Sequence, residues 1–187
     1  MRRLMLVILL LAIASSSVQA QEPPAVSTFL PDTQDIGEGW SAMGQGKPDT
    51  SDTVFTDSAS VSLIGPQGAE LVVMLFRHPT DRGSVLTAWT QGQSIYRDAT
   101  LSAVALPNPF TREVALASTP PPAGVVQAIR TEGIDMWWGM PAAVSLYAIE
   151  PDVVALVVLH GVIAMQTGST AADYIASIIA RKVVDFG

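Results

Sequence analysis

The sequence of 187 residues contains no cysteine, so disulfides, zinc–thiolate sites, iron–sulfur clusters and thiol nucleophiles are all excluded. Histidine is almost as scarce, with only His78 and His160. Each follows an apolar run, where a strand-end histidine that faces solvent is the expected role. The sequence also lacks a G-x-S-x-G elbow, a phosphate-binding loop and an H-E-x-x-H motif. The remaining route to catalysis is a pair of carboxylates, and no spacing marks one.

Basic residues are also few: the sequence has ten Lys and Arg and seventeen Asp and Glu. Two of the ten, Arg2 and Arg3, precede an apolar run over 4–14 and a small-residue site at Val18-Gln19-Ala20. This order is typical of a signal peptide, residues 1–20, cleaved between Ala20 and Gln21. A retained anchor is the alternative, but such a run rises only about 16 Å as a helix, against about 30 Å of hydrocarbon. We therefore expect an exported protein, periplasmic or extracellular.

Cleavage at that point leaves eight basic and seventeen acidic residues, a net charge of −9. A chain this acidic lacks the positive surface that binds nucleic acid or anionic lipid. No later stretch reaches 18 uninterrupted apolar residues, so we expect a mature chain that does not span a membrane.

The mature chain is predicted to form a flexible Pro-rich lead over 21–28 and a single α+β domain over 29–187. Val61 to Ile64 and Leu71 to Phe76 read as a hairpin across a Gly-Pro-Gln-Gly turn. Ala142 to Ile149 and Val153 to His160 read as another. A strand is also expected over 125–130, and a further hairpin from Leu101 to Leu106 and Thr111 to Ala117.

A helix is predicted after each of the two clear hairpins. The first covers Thr80 to Asp98. The last begins at Thr170 as N-cap, with Asp173 near the positive end of the helix dipole. Three- and four-residue spacing places one apolar face on this last helix, made of Ala172, Ile175, Ile179, Val183 and Phe186.

The two hairpins are similar in sequence, because 61–78 and 144–161 align without gaps at an offset of 83. Both begin with Val-Ser-Leu and end in an apolar strand. The predicted fold class is α+β, an antiparallel sheet with helices packed on it, either as a doubled ββα arrangement or with two hairpins that are similar by coincidence.

In its early Gly39-Trp40 and its late hairpin-then-helix order over 144–184, the chain resembles exported bacterial α/β sandwich domains. Examples are the PsbP-like proteins and the extracytoplasmic sensor domains of actinobacterial serine/threonine kinases. The kinase sensor domains typically carry disulfides, and this chain cannot. The resemblance implies an α/β sandwich and a sensing role, and it maps no site residue onto this sequence.

The candidate ligand-binding residues are Trp137, Trp138 and Tyr147. Adjacent residues on a strand face opposite sides, so one indole enters the core and the other faces out or lies under a loop. We expect Trp137 to be the packed ring and Trp138 the accessible one. The exposed ring either is capped by the segment around Trp40 or forms an aromatic platform for a sugar, peptide or hydrophobic ligand.

Two metal-binding hypotheses have less support in the sequence than the aromatic site, and we predict neither a metal nor a cofactor. Met136, Met140, His160 and Met165 are soft ligands suited to Cu(I), but their spacing is irregular and methionine mostly fills cores. Asp49, Asp52 and Asp57 lack the D-x-D-x-D-G spacing that wraps calcium.

The function that these observations favour is an exported, non-catalytic binding or sensing domain for an unknown ligand, with no nucleic-acid partner. An alternative is a structural or protein-interaction domain of the cell envelope. A hydrolase without a recognisable motif is a further alternative, and would require converging Asp, Glu and His side chains.

Overall fold

The computed structural model describes residues 23–104, 112–115, 123–134 and 139–186, with 112–115 and 162–170 described as backbone. The predicted signal peptide and its cleavage site lie outside these residues. The strands are β1 (Ser41–Gly46), β2 (Asp57–Ile64), β3 (Glu70–Arg77), β4 (Arg112–Ala115), β5 (Val125–Ile134), β6 (Pro141–Ile149) and β7 (Val153–His160). The helices are α1 (Thr33–Ile36), α2 (Arg82–Ala103) and α3 (Val162–Phe186), with 3-10 turns at Val26–Phe29 and Pro66–Gly68.

The described strands form one antiparallel sheet in the order β1-β2-β3-β7-β6-β5-β4. Its centre is the pair β3–β7, where Val73 lies opposite Val157. Both are fully buried, as their continuously apolar runs predict. The α+β fold class and both clear hairpins, β2–β3 and β6–β7, are confirmed.

Side chains alternate along each strand, so the sheet has two faces with different covers. On the α3 face, Val73, Tyr147 and Val157 form a core with α3 and the 3-10 turn at Val26–Phe29. On the α2 face, Leu146, Val154 and Leu156 pack against α2. The sheet is therefore the middle layer of three.

The two ββα units share their order of elements but not their faces. The offset of 83 is odd, so it pairs Val73 on the α3 face with Leu156 on the α2 face. In consequence α2 and α3, each of which follows its own hairpin, lie on opposite sides of the sheet.

The last helix begins earlier than its sequence predicts. The expected N-cap at Thr170 is wrong, because α3 starts at Val162 directly after Gly161, which takes φ +102° to turn out of β7. The apolar face is confirmed through Ile175, Ile179 and Val183, which are buried. Phe186 was expected on it but is 60% exposed, because it lies in the last turn.

Two other boundaries differ from expectation. The first long helix, α2, continues to Ala103, so the predicted strand at Leu101 to Leu106 is wrong over its first three residues. Asp81 caps α2 by accepting from the amides of Gly83 and Ser84. At the other end of the domain, Val26 is fully buried and donates its amide hydrogen to Asp57, so packing begins within the predicted lead.

No helix in the part of the chain that the structure describes is long and apolar enough to cross a bilayer.

Candidate functional site

Of the three predicted ligand-binding residues, the described structure contains Tyr147. Its side chain is fully buried on the α3 face. Trp137 and Trp138 lie outside the described residues, between the end of β5 at Ile134 and Gly139. Tyr147 pairs with Ala128, six residues or about 20 Å along β6 from Pro141, which lies opposite Ile134. The ligand-binding role of the three residues stays a prediction.

Tyr147 belongs to a buried polar cluster that sequence reasoning missed. The guanidinium of Arg130, on β5, donates from Nε to Ser145 Oγ at 2.9 Å and from Nη2 to Tyr147 Oη at 3.1 Å. The same Nη2 donates to Asp173 Oδ1, on α3, at 2.8 Å. Tyr147 Oη donates to that carboxylate oxygen at 2.9 Å, which closes the cluster.

Burial and charge act in opposite directions on this cluster. Burial raises the pKa of Tyr147 well above its ordinary value, so the hydroxyl stays protonated and remains a donor. Burial by itself lowers the pKa of Arg130, but the Tyr147 oxygen and the charges of Asp173 and Glu132 outweigh it, and the pKa is raised. Arg130 therefore remains charged within the cluster.

The polar cluster is a tether between α3 and the sheet. The Arg130 side chain is only 2% exposed, and its charge is balanced by a carboxylate 43 positions later in the chain. An arginine buried without such a partner would be costly. The sequence signal was a single basic residue in the strand VVQAIRTEGI, flanked by residues that alternate between the two faces.

On the opposite face, a groove lies between the second half of α2 and the sheet; we call it the α2 groove. Val72 and Met74 of β3 and Val158 of β7 form its floor, and Val72 is paired with Val158. Ala99, Ser102 and Ala103 of α2 form its wall. The cavity volume is about 300 Å³, and the lining is mostly apolar.

The α2 groove exists because small side chains meet at this end of the sheet. Farther along the same face, the Phe55 and Phe76 rings stack with their centroids 4.9 Å apart, and Trp89 packs beside them. The last turns of α2 offer only alanine and serine toward the floor. Among the residues that the structure describes, none fills at this end the space that aromatic rings fill at the other.

The two histidines have different settings. His160 is half-buried at the end of β7 and lines the α2 groove. His78 was expected to face solvent, and this is wrong: it is 6% exposed, and its Nδ1 is 2.9 Å from the carbonyl oxygen of Pro79. The His78 amide donates to the carbonyl oxygen of Asp152, in the turn between β6 and β7.

The metal hypotheses gain no support from the geometry. Among the residues that the structure describes, no three Asp, Glu or His side chains converge on one point. Asp57 is engaged elsewhere: burial alone would raise its pKa, but the Val26 amide and Lys47 lower it below the usual range. Met136 and the side chain of Met165, of the copper set, lie outside the described residues.

Comparison with known proteins shows a similarity of fold. No family model and no curated protein matches the sequence. The fold is similar to the extracellular domain of PknH from Mycobacterium tuberculosis, with a TM-score of 0.52 and 13% sequence identity over 85% of this chain and 98% of that domain. The resemblance to kinase sensor domains that the sequence suggested therefore holds at the level of the fold.

Proposed function

We propose that this chain is an exported, non-catalytic domain that binds a small ligand in the α2 groove. The α2 groove is the observation that carries the proposal. Val72 and Met74 in its floor are apolar, yet α2 leaves them only half-buried. Similarity of fold to the extracellular domain of PknH supports export and a sensing role, without identifying a ligand.

The lining of the α2 groove defines the chemistry of its ligand. Val72, Met74 and Val158 favour an apolar body, while the Ser102 hydroxyl, which donates to the carbonyl oxygen of Asp98, can still accept a hydrogen bond from one polar group. A volume of about 300 Å³ is at the lower limit of small-molecule pockets. We therefore propose a compact amphipathic molecule rather than a peptide or an oligosaccharide.

Trp137 and Trp138 are proposed to extend the wall of the α2 groove. Support comes from the strand pairing around them: Ile134 lies opposite Pro141, and Ala142 lies opposite His160. The connection that carries the two indoles thus leaves and rejoins the sheet beside the groove. Tyr147 lies on the opposite, α3 face of the sheet. It would support this site only indirectly, through its hydrogen bonds to Arg130 and Asp173.

The direct test is titration with the fluorescent amphipathic dye 8-anilinonaphthalene-1-sulfonate. Replacing Ala99 with leucine fills the α2 groove and should weaken dye binding by roughly tenfold, equivalent to about 1.4 kcal/mol. The matched control is Ser94→Leu, which adds the same side chain at an exposed position of α2 and should leave binding unchanged. Circular dichroism checks that both variants are folded.

Dye binding that is equal in wild type and Ala99→Leu would contradict binding in the α2 groove. In that case an interaction domain becomes the better proposal. The observation that favours it is β1, an edge strand exposed at all six positions, with a bulge between Ala42 and Gly44. Edge strands offer unpaired backbone groups to a second chain.

Export is proposed with cleavage between Ala20 and Gln21. Mass spectrometry of the exported protein should show the loss of residues 1–20. An intact Met1 in the membrane fraction would instead indicate a retained anchor.

A further inference from the structure

A second cavity lies on the α3 face, away from the α2 groove. It is bounded by Trp40 on one side and Tyr174 of α3 on the other; we call it the aromatic cavity. Its volume is about 180 Å³. The floor and ends are formed by aliphatic side chains, namely Ile36, Leu71, Leu159, Ala171 and Ile175.

The position of Trp40 is set by a glycine. A Cβ atom at Gly65, in the β2–β3 turn, would lie 2.7 Å from Cε2 of the indole, so only glycine lets the ring rest on the turn. Trp40 packs against the core of the α3 face but stays half-buried. One wall of the aromatic cavity is therefore formed by an indole that rests on the backbone of the β2–β3 turn.

The opposite wall is held by hydrogen bonds to the segment around α1. Tyr174 Oη donates to the carbonyl oxygen of Asp35 at 3.1 Å. About two turns later on α3, Lys182 Nζ pairs with Asp35 Oδ2 at 2.6 Å and donates to the carbonyl of Leu30 at 2.9 Å. Tyr174 is nevertheless 52% exposed, so the aromatic cavity can be reached from solvent beside its ring.

We infer that the aromatic cavity binds a small uncharged ring molecule, one aromatic or alicyclic ring in size. None of the described lining side chains is charged, so a charged ligand would lose its hydration without compensation. An apolar cavity of about 150 Å³ is large enough to hold benzene. The aromatic cavity is slightly larger than that, and its two aromatic walls suit a ring in offset or edge-to-face contact.

The test uses benzene as the probe, with benzoate as its charged counterpart. Saturation-transfer NMR on the full mature chain at millimolar benzene should show transfer to the ring protons, and benzoate should show none. Ala171→Leu fills the aromatic cavity and should abolish the benzene signal. Ser177→Leu adds the same side chain to α3 outside the cavity and should preserve it.

Tyr174→Ala provides a second variant in case Ala171→Leu does not fold. Because Tyr174 is exposed, its loss should leave the fold intact and weaken benzene binding by roughly three- to tenfold, the contribution of one aromatic contact. Absence of benzene binding in the wild type overturns the inference. Binding that is unchanged in both Ala171→Leu and Tyr174→Ala overturns it as well. Either result leaves dye binding in the α2 groove unaffected.

Discussion

The two faces of the sheet are stabilised in different ways. The α3 face is covered by α3 and by the 3-10 turn at Val26–Phe29, and it encloses an ion pair, Arg130–Asp173. The α2 face is covered mainly over β6 and β7, and its core is apolar apart from neutral hydrogen bonds. At the end of that core the floor of the α2 groove is left open.

The contrast is clearest on β5, where consecutive residues face opposite ways. Arg130 enters the charged cluster under α3, and Thr131 receives a neutral contact from Tyr96 of α2, with 2.5 Å between the hydroxyl oxygens. Without a disulfide, the position of each helix depends on such contacts and on packing. The comparison shows that α3 is fixed by a specific charged partner, whereas α2 is held by packing and by neutral hydrogen bonds.

The largest expected effect comes from breaking the charged tether. Asp173→Ala leaves Arg130 charged and buried, which should cost about 3–5 kcal/mol of unfolding free energy in urea denaturation. Asp185→Ala, at an exposed position of the same helix, should change stability by less than about 0.5 kcal/mol. A cost for Asp173→Ala below about 1 kcal/mol would mean that water replaces the carboxylate and that the tether is weak.

The next prediction tests whether one of the two adjacent indoles is packed and the other accessible. Trp137→Ala and Trp138→Ala should differ: loss of a packed ring costs about 3–5 kcal/mol, and loss of an accessible one less than about 0.5 kcal/mol. We expect Trp137 to be the packed ring. Thermal and urea unfolding of both variants measure the difference, and equal, severe destabilisation would leave no accessible indole for a ligand.

A third substitution compares shape with charge on the α3 face itself. Ile179 is fully buried, so Ile179→Ala should destabilise the protein by about 2–5 kcal/mol. Val184→Ala, on the exposed side of the same helix, is the matched deletion and should be nearly neutral. If Ile179→Ala changed the unfolding free energy by less than about 0.5 kcal/mol, packing would contribute little to the docking of α3.

The smallest effect is expected from the neutral contact of the α2 face. Tyr96→Phe removes the hydroxyl that meets Thr131 and should cost about 1 kcal/mol, the typical contribution of a neutral hydrogen bond. Tyr174→Phe, which removes an exposed hydroxyl, is the control and should cost less than about 0.5 kcal/mol. A loss for Tyr96→Phe that equals the loss for Asp173→Ala would remove the distinction between the two faces.

Much of the fold could be predicted from local sequence. The runs at Leu71 to Phe76 and Val153 to His160 are apolar at every position except their ends, which indicates strands covered on both sides. The three- and four-residue spacing of Ile175, Ile179 and Val183 predicted the buried side of α3. The start of α3 was not predictable in this way, because 162–170 carry no cap that distinguishes them from a loop.

The candidate sites were less accessible to sequence reasoning. Tyr147 was selected as an aromatic beside two tryptophans, but its neighbours in space are Arg130 and Asp173. In the sequence, Trp40 served only as part of the resemblance to exported sandwich domains. Its position across the aromatic cavity from Tyr174 depends on how α3 crosses the sheet. Contacts between residues so far apart in the chain follow from strand order, which spacing alone does not define.

The amino-acid sequence by itself determined the absence of thiol chemistry, the acidic surface, the hairpins and the amphipathic α3, because composition and short-range periodicity are properties of neighbouring residues. The tertiary structure alone decided which face each helix covers, that Arg130 meets Asp173, and that small residues of α2 face an apolar floor. These features arise where distant segments pack, and packing depends on the shapes and charges that the sheet order brings together.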